Sequence, residues 1–324
     1  MALGVAGSSA ALTAAAIRQV TGRSVVLVSA HIDDADEASD ELEGIDVPVV
    51  RLPAQEVLPG ETSVSLELYA ARLGAVRAVG DLVGTGGGAG DEKESAVLLC
   101  PVQALMQGVP EPGRVADLLR RVKRGDTLDP SDLVRWLDGA GYTRVEAVEE
   151  PGDFAVRGGI VDVFAPGPDG TLPVRLDFFG DEVDRIAEID LDTMGSDRTL
   201  EGVDLVPATL DAISADNARA GLVNFLELLP DGTLALLVET GEVVEQARGY
   251  YERVSDGRGL YGPPAVLKML GERAHAVCEL NQFSSASSAG DERVELPVEL
   301  LPGFARMPKK RWGRSRRWRR AAGV

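Results

Sequence analysis

Short β-branched runs alternate with amphipathic stretches over the first hundred residues. Three apolar runs are typical of strands buried in a parallel sheet, at residues 24–30, 48–53 and 95–105. The last of them runs directly into a helical pattern. Between the runs, the spacing of apolar positions predicts helices over 36–45 and 65–83, followed by a Gly-rich surface insertion at 84–94. Strands separated by helices predict an α/β domain with a doubly wound sheet over residues 1–105.

The hydrophobic period changes after residue 106. A helix is predicted over 129–142, with Asp129 as its N-cap and Pro130 at its first position. Four segments of period 2 follow, separated by Gly-Gly, Pro-Gly and Gly-Asp turns. Adjacent short strands of this kind predict an antiparallel meander. Residues 106–203 are therefore predicted to form an inserted α+β domain.

The α/β pattern returns after the insert. Residues 204–290 are predicted to complete the first domain, with a helix over 221–229, then a buried strand and a second helix. Residues 291–324 are predicted to form a basic, disordered tail. The simplest architecture is one parallel-sheet domain that is split by the insert.

Composition and charge narrow the functional classes. The chain carries −19, yet residues 306–324 contain nine Lys and Arg and no acid, so the rest is more acidic still. A body this acidic offers no broad surface to the DNA backbone. Two cysteines and two histidines provide neither a disulfide framework nor a zinc site, and no apolar run has the length of a membrane helix. We expect a cytoplasmic protein with no metal, no cofactor and no membrane contact.

A family resemblance is carried by the long stretch 140–208. Its most specific parts are FAVRGGIVDVF and VRLDFFGDEVDRI, and they are accompanied by PAQEVLP (53–59) and CPVQALMQ (100–107). The stretch resembles the N-terminal module of bacterial transcription-repair coupling factor, a module that is shared with the excinuclease protein UvrB. The resemblance covers roughly residues 1–280. It implies a split, helicase-like α/β domain with a small inserted domain, and a role in transcription-coupled nucleotide excision repair.

The turn after the first strand has the layout of a P-loop without its chemistry. LGVAGSSAAL (3–12) lacks the Lys and the Ser/Thr of G-x-x-x-x-G-K-[ST], the groups that contact the β/γ-phosphates and Mg²⁺. The resemblance also places LALLVET (234–240) where UvrB has a strand that ends in Asp-Glu. We predict a degenerate nucleotide site and no enzymatic activity; its positions are Gly4, Gly7, Ser9, Ala10, Ala11, Val238 and Glu239. The family's translocase and its RNA-polymerase-binding module have no counterpart in these residues, so no polymerase contact is expected.

Strand alternation suggests a surface for a protein partner. Along 174–179, Val174, Leu176 and Phe178 point to one face, and Arg175, Asp177 and Phe179 point to the other. If the first set forms a core, the second faces solvent, where Arg and aromatic side chains are common interface anchors. The resemblance implies that the positions of Arg157, Arg175 and Phe179 contact the excinuclease protein UvrA. The alternative is a covered Phe and two solvated arginines.

The basic tail offers a second, different function. Basic residues interleaved with Trp are suited to gripping phosphates while stacking on bases. The tail is not part of the family resemblance, so a frameshifted or truncated, non-functional gene product is the other alternative. The candidate nucleic-acid contacts are Lys309, Lys310, Arg311, Trp312, Arg314, Arg316, Arg317, Trp318, Arg319 and Arg320.

Overall fold

A computed structural model describes residues 2–3, 9–55, 66–84, 95–165, 172–207, 221–254, 259–282 and 294–295. The first part of the chain forms β1 (Ala2–Leu3), α1 (Ser9–Thr21), β2 (Val25–Ser29), α2 (Ile32–Glu43), β3 (Val49–Arg51), α3 (Leu66–Gly84), β4 (Val97–Pro101), α4 (Val102–Met106), β5 (Val109–Pro110) and α5 (Pro112–Leu118). The middle part forms β6 (Arg120–Lys123), α6 (Pro130–Gly139), β7 (Thr143–Arg144), β8 (Asp153–Arg157), β9 (Ile160–Ala165), β10 (Leu172–Phe179), β11 (Glu182–Ile189), β12 (Ser196–Leu200) and β13 (Gly202–Leu205). The last part forms β14 (Leu222–Val223), a 3-10 helix (Phe225–Leu228), β15 (Leu234–Val238), α7 (Thr240–Arg253), α8 (Pro263–Arg273), β16 (Ala276–Asn281) and β17 (Val294–Glu295).

Within the described residues, seven parallel strands form the larger sheet, in the order β17-β1-β16-β15-β2-β4-β3. Strands β2 and β4 are buried along their whole length, which explains their continuous apolar runs. One apolar cluster packs on each face of this sheet. The predicted parallel α/β sheet is therefore present, and strands from both ends of the chain build it.

A buried arginine ties separate segments of this α/β part together. The guanidinium of Arg72 on α3 donates to the backbone carbonyls of Pro53 and Gln107, at 2.7 and 2.8 Å. Burial lowers the pKa of Arg72 to about 10, which still leaves the group charged at neutral pH. The Gln107 side chain in turn contacts the Tyr250 hydroxyl at 2.6 Å and the backbone of Gln55. The described part of the first motif, residues 53–55, thus meets the motif at 100–107 around one polar network.

The smaller sheet has the predicted meander. Strands β8 to β12 pair antiparallel with their chain neighbours, and β7 joins β8 in parallel. Helix α6 covers the inner face of the sheet, and its Leu133 and Leu137 enter the core with Phe154. The Asp129 carboxylate accepts a hydrogen bond from Ser131 N at 2.7 Å, as the predicted N-cap requires.

The junction of the two sheets lies at β6 and β13. These strands pair antiparallel, and Arg77 on α3 forms an ion pair with Asp204 on β13. The Tyr142 hydroxyl donates to the Val206 carbonyl at 2.6 Å. Val109 and Val115 pack with the α/β core although the sequence prediction places residue 106 onwards in the insert. On this packing we propose that the insert begins near residue 120.

One helix prediction needs correction. Residues 221–229 form the short strand β14 and a 3-10 helix, because Asn224 caps the turn with its side chain and Glu227 closes a capping box. The Asn224 amide also donates to the Leu105 carbonyl. Among the helices in the described residues, none combines the length and the apolar character needed to traverse a bilayer.

Candidate partner-binding face

The smaller sheet has an inner face that packs into the core and an outer face that does not. Val174 and Leu176 are fully buried on the inner face, together with the neighbouring strands. Phe179 lies on the outer face and is 83% exposed. The alternation predicted for residues 174–179 therefore holds for these positions, and Phe179 is a large aromatic group left in solvent.

Arg175 corrects the expectation that the whole outer set faces solvent. Its side chain is 17% exposed, and its guanidinium donates to both carboxylate oxygens of Asp162, at 2.7 and 2.8 Å. Asp162 is almost completely buried, and the hydrogen bond to it raises the pKa of Arg175. The cause is register: Asp162 on β9 stands directly opposite Arg175 on β10. Arg175 is thus committed to a bidentate pair within the fold.

Half of the outer face is covered by the chain itself. A small apolar cluster forms over it and includes Val148, Ala155, Phe164 and Ile189. Arg175 also donates to the carbonyl of Met194, at 3.3 Å. We call this part the covered half.

The turn that ends the covered half is closed by a carboxylate. Asp190 accepts hydrogen bonds from the backbone amides of Asp192 and Thr193. These bonds, the one from Thr193 first, lower the pKa of Asp190. The carboxylate form thus holds the turn beside Met194, whose carbonyl Arg175 contacts.

The rest of the outer face carries charge and no covering segment among the described residues. Strand register places Arg157, Ile160, Asp177 and Arg185 in one row across β8 to β11. Phe179 lies two residues beyond Asp177 on β10. We call these five residues the uncovered half. The sequence prediction included Arg157 and Phe179 but not Arg185, because only the bulge between Asp177 and Phe178 aligns Arg185 with this row.

The β8–β9 turn fixes one end of the uncovered half. Gly158 has φ +61°, and a Cβ on Gly159 would stand 3.0 Å from the Phe178 carbonyl oxygen. Phe178 N donates to the Gly159 carbonyl at 2.8 Å, which brings the turn against β10 next to Phe179. Arg157, just before the turn, donates to the Glu146 carbonyl at 2.6 Å and is exposed. The β8–β9 turn that follows Arg157 is thereby fixed against the end of β10 that carries Phe179.

Three of the positions predicted to form a degenerate nucleotide site lie in or against an apolar cluster. Gly4 and Gly7 lie outside the described residues. Ser9 begins α1, whereas Ala10 and Ala11 are buried in the apolar cluster against which Val238 also packs. Glu239 has φ 51°, and its carboxylate accepts a hydrogen bond from Gln282 N. Within the described residues, no group of three or more His, Cys, Asp and Glu is placed to hold a metal.

A groove of about 660 Å³ lies between α2, β3 and α3, away from both predicted sites. Small side chains of α3 form part of its wall. Arg51 forms an exposed ion pair with Asp36, and Arg77 forms a partly buried one with Asp204. The tail residues 309–320 lie outside the described residues.

Comparison with known proteins identifies the smaller sheet and its flanking strands. Residues 121–210 match the UvrB interaction domain. This match begins inside β6 and extends past β13, so it contains the whole antiparallel sheet and helix α6. Both halves of the outer face therefore lie within the residues that match the UvrB interaction domain.

The relatives of this chain are DNA repair proteins. The transcription-repair-coupling factor of Myxococcus xanthus is 39% identical over 172 residues, which are 53% of this chain and 13% of that protein. The factor of Mycobacterium tuberculosis is 29% identical over 262 residues, 78% of this chain and 20% of that protein. UvrABC system protein B of Clostridium botulinum is 27% identical over 197 residues, 54% of this chain and 29% of that protein. The chain is thus homologous to the coupling factors but spans less than a third of the length of each.

Proposed function

We propose that this chain is a non-catalytic protein-binding module of nucleotide excision repair, and that its UvrB interaction domain binds the excinuclease protein UvrA. One observation carries the proposal: within a domain of this family, Phe179 stands 83% exposed beside charged residues on a face that the described chain leaves uncovered. An exposed aromatic side chain with an arginine nearby is the composition that interface anchors favour.

The three residues predicted as contacts take different roles in this proposal. Phe179 and Arg157 are exposed and contact the partner directly. Arg175 is occupied by Asp162 and supports the face from within. The proposal places the module in the cytoplasm, where bacterial DNA is repaired.

Titration calorimetry with UvrA from the same genome tests the proposal. Replacing Phe179 with Ala removes an anchor and is expected to weaken binding by about thirtyfold, or about 2 kcal/mol. Val20→Ala is the control, because Val20 is 85% exposed on α1, outside the UvrB interaction domain. Equal affinity of the two variants would contradict the proposed site.

We further propose that the α/β part neither binds nor hydrolyses ATP. The support is the burial of Ala10 and Ala11 in an apolar cluster, at the positions where a P-loop presents its Lys and Ser/Thr. Calorimetric binding of a non-hydrolysable ATP analogue at micromolar affinity would refute this.

A second candidate function, DNA binding, is favoured by the tail composition. Residues 306–324 contain nine Lys and Arg and two Trp in an otherwise acidic chain. Deleting these residues is expected to abolish any salt-sensitive retention of DNA. Unchanged retention after the deletion would assign DNA binding to another part of the chain.

A further inference from the structure

The uncovered half contains an arginine, Arg185, whose guanidinium has no ion-pair partner among the described residues. Arg185 on β11 stands opposite Asp177 on β10, and its side chain is half-buried. Within the described part of the chain, the Arg185 guanidinium makes no hydrogen bond and no ion pair, even with the Asp177 carboxylate. The Arg175 guanidinium, by contrast, donates hydrogen bonds to the Asp162 carboxylate and the Met194 carbonyl.

The row geometry places two arginines on either side of Phe179. Arg157 on β8 and Arg185 on β11 are separated by three strand spacings, about 14 Å. Phe179 lies between these strands, two residues along β10 from Asp177, or about 7 Å. An aromatic group flanked by two cations at this spacing matches a protein surface with an apolar pocket between acidic side chains.

We propose that Arg185, together with Arg157, meets carboxylates of the partner on both sides of Phe179, and that Arg175 is a positioning residue that acts through Asp162. This inference rests on the proposed function, because it assigns roles within the same site. It names the partner chemistry: an acidic patch around an apolar pocket on UvrA. It also distinguishes two arginines on the same face: Arg175 forms an ion pair within the domain, whereas Arg185 does not.

Salt dependence distinguishes a direct ionic contact from a positioning residue. Exposed charge pairs across an interface are screened as salt increases, whereas a pair sealed inside the domain is screened much less. We expect Arg185→Glu to weaken binding to UvrA at least tenfold at 0.05 M salt, with a much smaller loss at 0.5 M. Arg185→Lys keeps the charge and should retain most of the affinity. Arg175→Ala should weaken binding without changing the slope of log Kd against log salt.

Arg144→Glu is the matched control. Arg144 is an exposed arginine of the same sheet, and its register partner Phe154 belongs to the inner face. The control makes the same charge change on the same domain but off the outer face, so it should alter Kd less than twofold. Circular dichroism at the titration temperature confirms that each variant is folded.

The possible outcomes distinguish failure of the proposed UvrA binding from failure of the roles assigned to Arg185 and Arg175. If wild type binds and Phe179→Ala weakens binding, but Arg185→Glu behaves like Arg144→Glu, the assignment of Arg185 is overturned and the proposed function stands. If Arg175→Ala reduces the slope of log Kd against log salt as Arg185→Glu does, Arg175 is a direct contact and its positioning role is overturned. If wild type does not bind UvrA, both the proposed function and this inference fail.

Discussion

At the scale of single residues, Asp162 and Arg175 show what alternation can and cannot predict. The period of 2 placed Arg175 on the face opposite Val174, and that is where it lies. Alternation along a strand does not predict which residue of the neighbouring strand stands opposite. That depends on the β9–β10 register, which joins Asp162 to Arg175 and removes most of both groups from water. The exposure of Arg175 was therefore predicted wrongly, and the exposure of Phe179 correctly.

We predict that Arg175→Ala destabilises the chain by about 3 kcal/mol, because it leaves the buried Asp162 carboxylate without its partner. Urea unfolding followed by circular dichroism measures the change. The double variant Asp162→Ala, Arg175→Ala is expected to lose less than the sum of the two single variants. Additive losses would show that the two side chains act independently.

At the scale of elements, caps and turns that depend only on neighbouring residues were predicted correctly. Asp129 followed by Pro130 predicted the start of α6, and the Gly158–Gly159 turn predicted the β8–β9 hairpin. The segment 221–229 was mispredicted because its apolar residues suit a helix, whereas Asn224 uses its side chain on Leu226 N and on the distant Leu105 carbonyl. That second contact spans more than a hundred residues, so no local pattern could reveal it.

We predict that Gly159→Ala destabilises the part of the chain that contains the smaller sheet by about 1–3 kcal/mol, since the added Cβ would stand 3.0 Å from the Phe178 carbonyl oxygen. The β8–β9 turn and β10 must then separate, and this also displaces Phe179. Thermal unfolding checks the first effect, and titration with UvrA checks the second. Gly139→Ala is the control, because a Cβ there meets nothing within 4 Å. Equal stability of the two variants would contradict the close approach.

At the scale of the whole molecule, long-range contacts join the two sheets. The sequence predicted a split parallel-sheet domain with an inserted meander, and the structure shows both kinds of sheet. The sequence could not predict the junction. There Asp204 on β13 forms an ion pair with Arg77 on α3, and its carboxylate lies 3.9 Å from Arg121 Nε on β6. These residues are far apart in the chain and carry no motif. Their pairing exists only once β6 and β13 are aligned.

We predict that Arg77→Ala lowers stability by about 1–2 kcal/mol at low salt, because Asp204 is partly buried and loses its nearest cation. The control is Arg135→Ala, which breaks an exposed pair with Asp132 and should cost less than about 0.5 kcal/mol. Denaturant unfolding of both variants gives the comparison. An equal cost would mean that the junction pair is worth no more than a surface pair.

The most direct test of the central claim is a hydroxyl-radical footprint of the chain with and without UvrA. If the uncovered half is the binding surface, oxidation of Phe179 slows in the complex, and oxidation of Tyr251, which is 48% exposed on α7, keeps its rate. Phe179 oxidised at the same rate in a saturated complex would show that the partner binds elsewhere.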